Sequence, residues 1–147
     1  MYLADYLCPE GTLADFSAHD KEEALRKIAH VASVTGLDQA TIFSVLLARE
    51  KIGSTGVGEG YAIPHGKLQG FDKIRLFFAR SREGIDFASA DKKKCHLFFT
   101  ILAPEDTAGQ HLRLLGAIAK LSRDKTFGER LLQARSAAEL TDFLLTV

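Results

Sequence analysis

Apolar residues recur at helical spacing in the first third of the chain. Across residues 17–36 the repeat has acidic residues at its start and a glycine at its end, which predicts an amphipathic helix. The apolar positions of this helix are Ala24, Leu25, Ile28, Ala29 and Ala32. A second helix is predicted from an Asp38 N-cap to about Arg49, because a short polar side chain precedes a new apolar repeat. Its predicted buried positions are Ile42, Phe43, Val45 and Leu46.

Two later runs are rich in apolar residues that lack helical spacing. Residues 74–80 and 95–103 are short, rich in Phe, Leu and Ile, and bounded by Gly, Pro or charged residues, which predicts two central buried strands. A minor strand is predicted at residues 85–87, and the lysine run at 92–94 is predicted to be a solvated turn.

The helical spacing returns after Pro104. The predicted buried stripe of this helix consists of Leu112, Leu115, Ile118 and Ala119. Two shorter helices close the chain, and the last of them begins with Ser136 and Glu139 at the spacing of a capping box. Because helices flank the strands in sequence, an α/β layer architecture is predicted, in a single domain over residues 1–147.

Charge and cysteine content exclude several classes of partner. Lys plus Arg and Asp plus Glu each total 19, so no net positive field favours nucleic acid as a partner. No apolar run approaches the roughly 20 residues that cross a bilayer, so membrane insertion is not expected. The low cysteine count and the lack of a signal-peptide pattern at the N-terminus favour a cytoplasmic location.

The candidate chemistry lies in residues 49–67, which read REKIGSTGVGEGYAIPHGK. The glycines rule out a helix or a long strand and predict a loop whose backbone N–H groups can converge on an anion. Ser54 and Thr55 either add hydroxyl donors to that site or cap the loop. Pro64 fixes its own φ and Gly66 removes bulk, so we expect His65 to be held stiffly with open space beside it.

This run matches no nucleotide or metal motif. A Walker A loop fails because Leu68 follows Lys67, and a dinucleotide fingerprint fails because Tyr61 stands where the third glycine should lie. The histidines lack zinc-ligand spacing, and no Gly-x-Ser-x-Gly pentapeptide supports a hydrolase. We therefore expect no metal, nucleotide or other cofactor.

A histidine can itself be the nucleophile, because a neutral imidazole can accept a phosphoryl group and later release it. Such a site needs an unprotonated ring near neutral pH, together with donors or cations around the phosphate. His65, with its glycines and with Arg49 nearby in sequence, meets these needs. His111 lies at the start of the helix predicted after Pro104, where the helix N-terminus favours an anion.

The segment Arg49-Glu50 followed by GSTGVGEGYAIPHG resembles the active-site signature of a known family. That family is the type-2 IIA proteins of the bacterial phosphoenolpyruvate-dependent phosphotransferase system, the fructose/mannitol-type group. The similarity extends from about residue 17 to the C-terminal helix. Residues 53–56 and 66–67 most resemble the nitrogen-regulatory branch, IIA-Ntr. The resemblance implies a central mixed β-sheet flanked by helices on both faces.

The resemblance also implies roles for individual residues. His65 matches the phosphoryl-accepting histidine, Arg49 the arginine that stabilises the phosphate, and His111 the second active-site histidine. The ring nitrogen that takes the phosphoryl group is left open. Further candidate phosphate contacts are Ser54, Thr55 and Gly56. His96 departs from the family pattern, which has an acidic residue there, and is interpreted as a residue at the start of a strand.

The implied function is that of a nitrogen-regulatory IIA protein. An HPr-like phosphocarrier (NPr) would phosphorylate it, and it would regulate targets by phosphorylation state, with no turnover expected without its partners. The branch is linked to nitrogen and potassium regulation, which suggests potassium transporters or sensor kinases as targets. Two alternatives stay open: a sugar-specific IIA that donates phosphate to the IIB component of a fructose or mannitol transporter, and a binding module that has the fold but no phosphoryl transfer.

Overall fold

A computed structural model describes residues 2–147, which form a six-stranded mixed β-sheet with helices on both faces. The strands are β1 (Leu7–Leu13), β2 (Gly56–Gly58), β3 (Tyr61–Ala62), β4 (His65–Lys67), β5 (Arg75–Ile85) and β6 (Cys95–Ala103). The α-helices are α1 (Lys21–Ala32), α2 (Gln39–Ile52), α3 (Ala108–Leu121), α4 (Lys125–Gln133) and α5 (Ala137–Leu144). Within residues 2–147, no helix has the length and apolar character needed to cross a bilayer.

The sheet is built around the antiparallel pair of β5 and β6. The strand order is β1-β5-β6-β3-β2, and β4 also pairs with β6. Strands β3 and β4 follow one another along β6 in parallel, with Tyr61 opposite Leu97 and His65 opposite Ile101. The break between them falls at Pro64, which has no N–H to donate but whose carbonyl accepts from the N–H of Ile101 at 2.9 Å. These two strands are therefore one interrupted strand, and His65 begins its second half.

Side chains alternate across the two central strands and fill two separate hydrophobic cores. Phe78 and Phe99 belong to a first core, which we call the α3–α5 core after the helices that cover it. Phe77 and Phe98 belong to a second core, the α1–α2 core, on the opposite face. Both faces of the central parts of these strands are thus buried, which is why apolar residues stand next to one another there instead of alternating with polar ones. The α/β architecture with helices on both faces is confirmed.

The predicted helices are confirmed, with differences at their ends. Every apolar position predicted for α1 is buried. Asp38 caps α2 by accepting from the N–H of Thr41 at 3.0 Å, but the helix continues past its predicted end to Ile52. Phe43 and Val45 are only partly buried, because they lie at the margin of the α1–α2 core.

The predicted strands are confirmed in part. Strand β6 has the predicted bounds, whereas β5 runs beyond its prediction to Ile85, which pairs with Cys95 after a shift of register. The separate minor strand at 85–87 is therefore wrong, because Ile85 is the last residue of the long hairpin. The sequence interpretation also missed β1, whose Pro9 and Gly11 interrupt any alternating pattern.

The predicted face of α3 is confirmed only in part. Ile118 is buried as predicted and Leu115 packs against the α3–α5 core, but Leu112 is 71% exposed, and His111 and Leu114 are buried instead. The three buried residues have helical spacing, so α3 packs on the sheet with a histidine in the place of an apolar residue. The imidazole interrupts the apolar pattern that the prediction relied on.

A buried arginine joins β5 to the end of α4. Arg80 is 0% exposed, and its guanidinium donates to the backbone carbonyls of Ala14, Leu131 and Ala134. The last two carbonyls belong to the C-terminal end of α4, whose partial negative charge favours a cation. Arg80 therefore satisfies polar groups that would otherwise be buried without partners.

Candidate active site

His65 is the first residue of β4 and is half-buried at the point where two helices approach the sheet. The next residue, Gly66, packs directly against α2, and a Cβ at this position would overlap the side chain of Val45. The expected space beside His65 is therefore occupied. Gly66 instead allows α2, and with it Arg49, to approach β4 closely.

The hydrogen bonds of His65 distinguish its two ring nitrogens. Nδ1 lies 2.8 Å from the carbonyl oxygen of Ile63, which can only accept, so Nδ1 carries the proton of the neutral ring. Nε2 lies 3.2 Å from Nε–H of Arg49 and accepts from it. The lone pair of Nε2 therefore points towards a guanidinium group, as a phosphoryl acceptor beside a cation should.

The surroundings keep His65 unprotonated near neutral pH. Burial is the largest cause that lowers the pKa of His65 below 6.5, and the positive charge of Arg49 lowers the pKa further. The Ile63 carbonyl and the negative charge of Glu50 act in the opposite direction without reversing the shift. A neutral ring is the nucleophilic form, so the electrostatics favour the expected chemistry.

His111 projects from α3 against the ring of His65. The ring centroids are 5.3 Å apart and the planes are nearly perpendicular, at 82°. His111 is 6% exposed, and within residues 2–147 its Nε2 has no hydrogen-bond partner. Burial, followed by the charges of His65 and Lys67, lowers the pKa of His111 to about 4. A buried nitrogen without a partner costs about 1–3 kcal/mol, which an incoming acceptor would recover.

The other sequence-predicted contacts, Ser54, Thr55 and Gly56, are engaged within the loop. The Ser54 hydroxyl donates to the carbonyl of Phe87 at 3.0 Å and accepts from the N–H of Gly56 at 3.0 Å. Thr55 is buried, and its N–H and hydroxyl both bond to the carboxylate of Glu50. The structure thus brings Arg49 and His111 to His65, while these three residues hold the loop in shape.

Glu50 is the residue next to the site that sequence reasoning did not single out. It is 6% exposed although it is charged, and Lys21 of α1 contacts it at 2.9 Å. A signal was present in the sequence, because Ile42, Leu46 and Glu50 share one helical face, which puts a carboxylate on an apolar stripe. His96 lies at the start of β6 with Nδ1 2.9 Å from the carbonyl of Ser81, in agreement with its interpretation as a residue at a strand start.

Comparison with known proteins places this site in a family context. Residues 6–147 match the model of the family described as "Phosphoenolpyruvate-dependent sugar phosphotransferase system, EIIA 2". The nitrogen regulatory protein of Bradyrhizobium diazoefficiens is 41% identical over 145 residues, which cover 98% of this chain and 95% of that protein.

Two solved structures have the same fold. The crystal structure of nitrogen regulatory protein IIA-Ntr from Neisseria meningitidis superposes with a TM-score of 0.89 at 33% identity, covering 97% of this chain and 98% of that one. Mannitol IIA from Escherichia coli, in its complex with phosphorylated mannitol IIB, gives a TM-score of 0.77 at 25% identity and covers 94% and 96% of the two chains.

Proposed function

The chain belongs to the EIIA 2 family of the phosphoenolpyruvate-dependent sugar phosphotransferase system, and on that premise we propose that His65 accepts a phosphoryl group. Within the family, the chain falls among the nitrogen regulatory IIA proteins. The donor is an HPr-like phosphocarrier (NPr), and the chain regulates cytoplasmic target proteins by its phosphorylation state. The observation that carries this proposal is the lone pair of His65 Nε2 beside the Arg49 guanidinium.

The transfer step requires no metal or nucleotide. Nε–H of Arg49 releases Nε2 of His65, whose lone pair attacks the phosphorus of the carrier's phosphohistidine, and the P–N bond to the donor imidazole breaks as the bond to Nε2 forms. The donor ring carries a proton on its other nitrogen, so it keeps the electron pair of the broken bond and leaves as neutral imidazole. The Nδ1 proton of His65 stays on its ring, and the Ile63 carbonyl stabilises the positive charge that this ring gains.

Two side chains are proposed to stabilise the phosphoryl group during transfer. Arg49 uses Nε and Nη1 on protein atoms, and its five N–H donors leave others for phosphoryl oxygens. The Nε2–H tautomer of His111 would donate to a phosphoryl oxygen and so gain the partner that this nitrogen lacks. Both groups are held in position before the charge arrives, which is where electrostatic stabilisation is most effective.

Exposed apolar side chains near the site in sequence support a protein as the phosphoryl donor. Leu112 follows His111 directly, and Ile52, which is 82% exposed, lies one helical turn after Arg49. Val57 in the glycine loop is also exposed. Apolar side chains that remain in water beside a functional residue are typical of surfaces that bind other proteins.

Phosphorylation gives a physical basis for regulation, because it adds nearly two negative charges to this surface and so changes which partners bind there. Potassium transporters or sensor kinases are the proposed classes of target. A second candidate function is that of a sugar-specific IIA, which the similarity to mannitol IIA favours. In that function a IIB component, instead of a regulatory target, would receive the phosphoryl group.

The experiment is intact-mass measurement after incubation with phosphoenolpyruvate, enzyme I and an HPr-like carrier. We expect one acid-labile phosphoryl group on the parent and none on His65→Ala, whose folding is checked by circular dichroism. Absence of uptake by a folded parent would leave a binding module without transfer. Rapid passage of the phosphoryl group to a purified fructose or mannitol IIB would favour the transport function over regulation.

A further inference from the structure

We infer that Glu50 is a positioning residue for phosphoryl transfer, which acts by fixing Arg49 beside His65. This inference rests on the proposed role of His65 as the phosphoryl acceptor. Among the described residues, the side chain of Glu50 forms hydrogen bonds with Lys21 and Thr55 and not with His65. Its influence on the reacting nitrogen is therefore expected to pass through the neighbouring arginine.

The Glu50 carboxylate joins three segments of the chain. Oε1 accepts from Nζ of Lys21 at the start of α1 and from the N–H of Thr55 in the glycine loop, both at 2.9 Å. Oε2 bonds to the Thr55 hydroxyl. The side chain itself lies in the last turns of α2, next to Arg49 in sequence. One buried group thus ties two helices to the loop that leads to His65.

A continuous set of bonds runs from this carboxylate to the reacting nitrogen. By holding Thr55, Glu50 folds the loop back over the end of α2, which fixes the carbonyl of Gly53. That carbonyl accepts from Nη1 of Arg49 at 2.9 Å, while Nε of the same guanidinium donates to His65 Nε2 at 3.2 Å. The guanidinium is therefore held at two of its nitrogens, and one of these two contacts depends on the loop that Glu50 anchors.

The cost of burying Glu50 supports a role beyond packing. A buried ion pair such as Lys21–Glu50 is often no more stabilising than apolar residues of the same volume. The carboxylate also counteracts the effect of Arg49 on His65, since its negative charge raises the pKa that the guanidinium lowers. A Gln side chain at this position would keep the shape but would lose the negative charge that pairs with Lys21, and its N–H₂ group would require the Thr55 hydroxyl to accept instead of donate.

The test is a double-mutant cycle on the rate of phosphoryl uptake from the HPr-like carrier. Glu50→Gln is measured in the parent and in Arg49→Ala, with carrier concentration varied so that the maximal single-turnover rate constant and the half-saturating carrier concentration separate. We expect a roughly 10- to 100-fold fall in the maximal rate constant in the parent, typical of a misplaced catalytic group, with little change in the half-saturating concentration. In the Arg49→Ala background the same substitution should change the maximal rate constant less than about threefold, because the residue it acts through is absent.

Controls separate this inference from a loss of folding and from failure of the proposed function. Glu22→Gln removes an exposed carboxylate paired with Arg26 and should leave the rate unchanged. If Glu50→Gln does not fold, Thr55→Val, which deletes the hydroxyl partner, is expected to give the same non-additive loss with Arg49→Ala. Equal losses in both backgrounds, or no loss in the parent, would overturn the inference. A parent that takes up no phosphoryl group would instead refute the proposed function.

Discussion

Replacing His111 by Phe should change how the stability of the protein depends on pH. The imidazole is buried against His65 with Nε2 unpartnered, and burial lowers its pKa from 6.5 to about 4. In the unfolded chain the ring titrates near its ordinary value, so the unfolded state binds a proton at a pH where the native ring does not. The contribution of His111 to the free energy of unfolding is therefore fully present above about pH 6.5 and is lost as the pH falls towards 4.

The magnitude follows from the interval between these two pKa values. From 6.5 to about 4, at about 1.4 kcal/mol per pH unit, the complete loss is about 3.5 kcal/mol. Most of it, about 2–3 kcal/mol, should be lost between about pH 7.5 and pH 4.5. Phe cannot take up a proton, so this part of the pH dependence is absent from the variant. Deleting the unpartnered nitrogen should also raise stability at neutral pH by about 1 kcal/mol.

The assay is urea denaturation at several pH values, followed by far-ultraviolet circular dichroism because the chain has no tryptophan. His65 and the carboxylates titrate in both proteins, so the difference between parent and variant isolates His111. His30→Asn, which removes an exposed histidine of α1, serves as the matched control. If His111→Phe and the parent lose equal stability on acidification, the argument from burial is refuted.

Three further predictions concern His65, Gly66 and Arg80. In a pH–rate profile of phosphoryl transfer, the acid limb should have its midpoint below pH 6.5, since burial and Arg49 lower the pKa of His65. Arg49→Ala should move this midpoint to higher pH. Gly66→Ala should lower the free energy of unfolding, measured by urea denaturation, by about 1–3 kcal/mol, because the new Cβ overlaps the side chain of Val45. Adding Val45→Ala to this variant should recover part of the lost stability, and no recovery would contradict the overlap. Arg80→Met should cost about 2–4 kcal/mol in the same assay, because the backbone carbonyls of Ala14 and Leu131 lose their donor. Arg80→Lys should recover only part of this stability, since an ammonium cannot reproduce the guanidinium fork, and full recovery would argue against this geometry.

The parts of the fold that the sequence could predict are those with a long local signal. The apolar repeat of α1 and the Asp38 cap of α2 act within one helix, and the apolar run of β6 reflects burial on both faces. Strand β1 and the short strands β2, β3 and β4 could not be predicted in the same way. Two or three residues carry no period, and such strands exist only because a neighbouring strand supplies their partners.

The candidate site also has features that follow from local sequence and features that depend on tertiary packing. The stiffness of His65 and the anion-binding character of its loop follow from Pro64 and the glycines, which are local properties. The approach of Arg49 and His111 depends on how α2 and α3 pack, so only the family resemblance placed them near His65. The buried role of Thr55 with Glu50 was equally inaccessible, because a hydroxyl in a glycine-rich loop does not reveal which partner it will find.

The position of the site between two separate cores ties its lifetime to partial unfolding. Arg49 comes from a helix of the α1–α2 core and His111 from a helix of the α3–α5 core. Local opening of either layer, without global unfolding, would remove one of the two side chains that flank the His65 ring. The site therefore requires that both layers stay folded together. The opening of the less protected layer, which amide hydrogen exchange reports, sets an upper limit on how long Arg49 and His111 both flank His65.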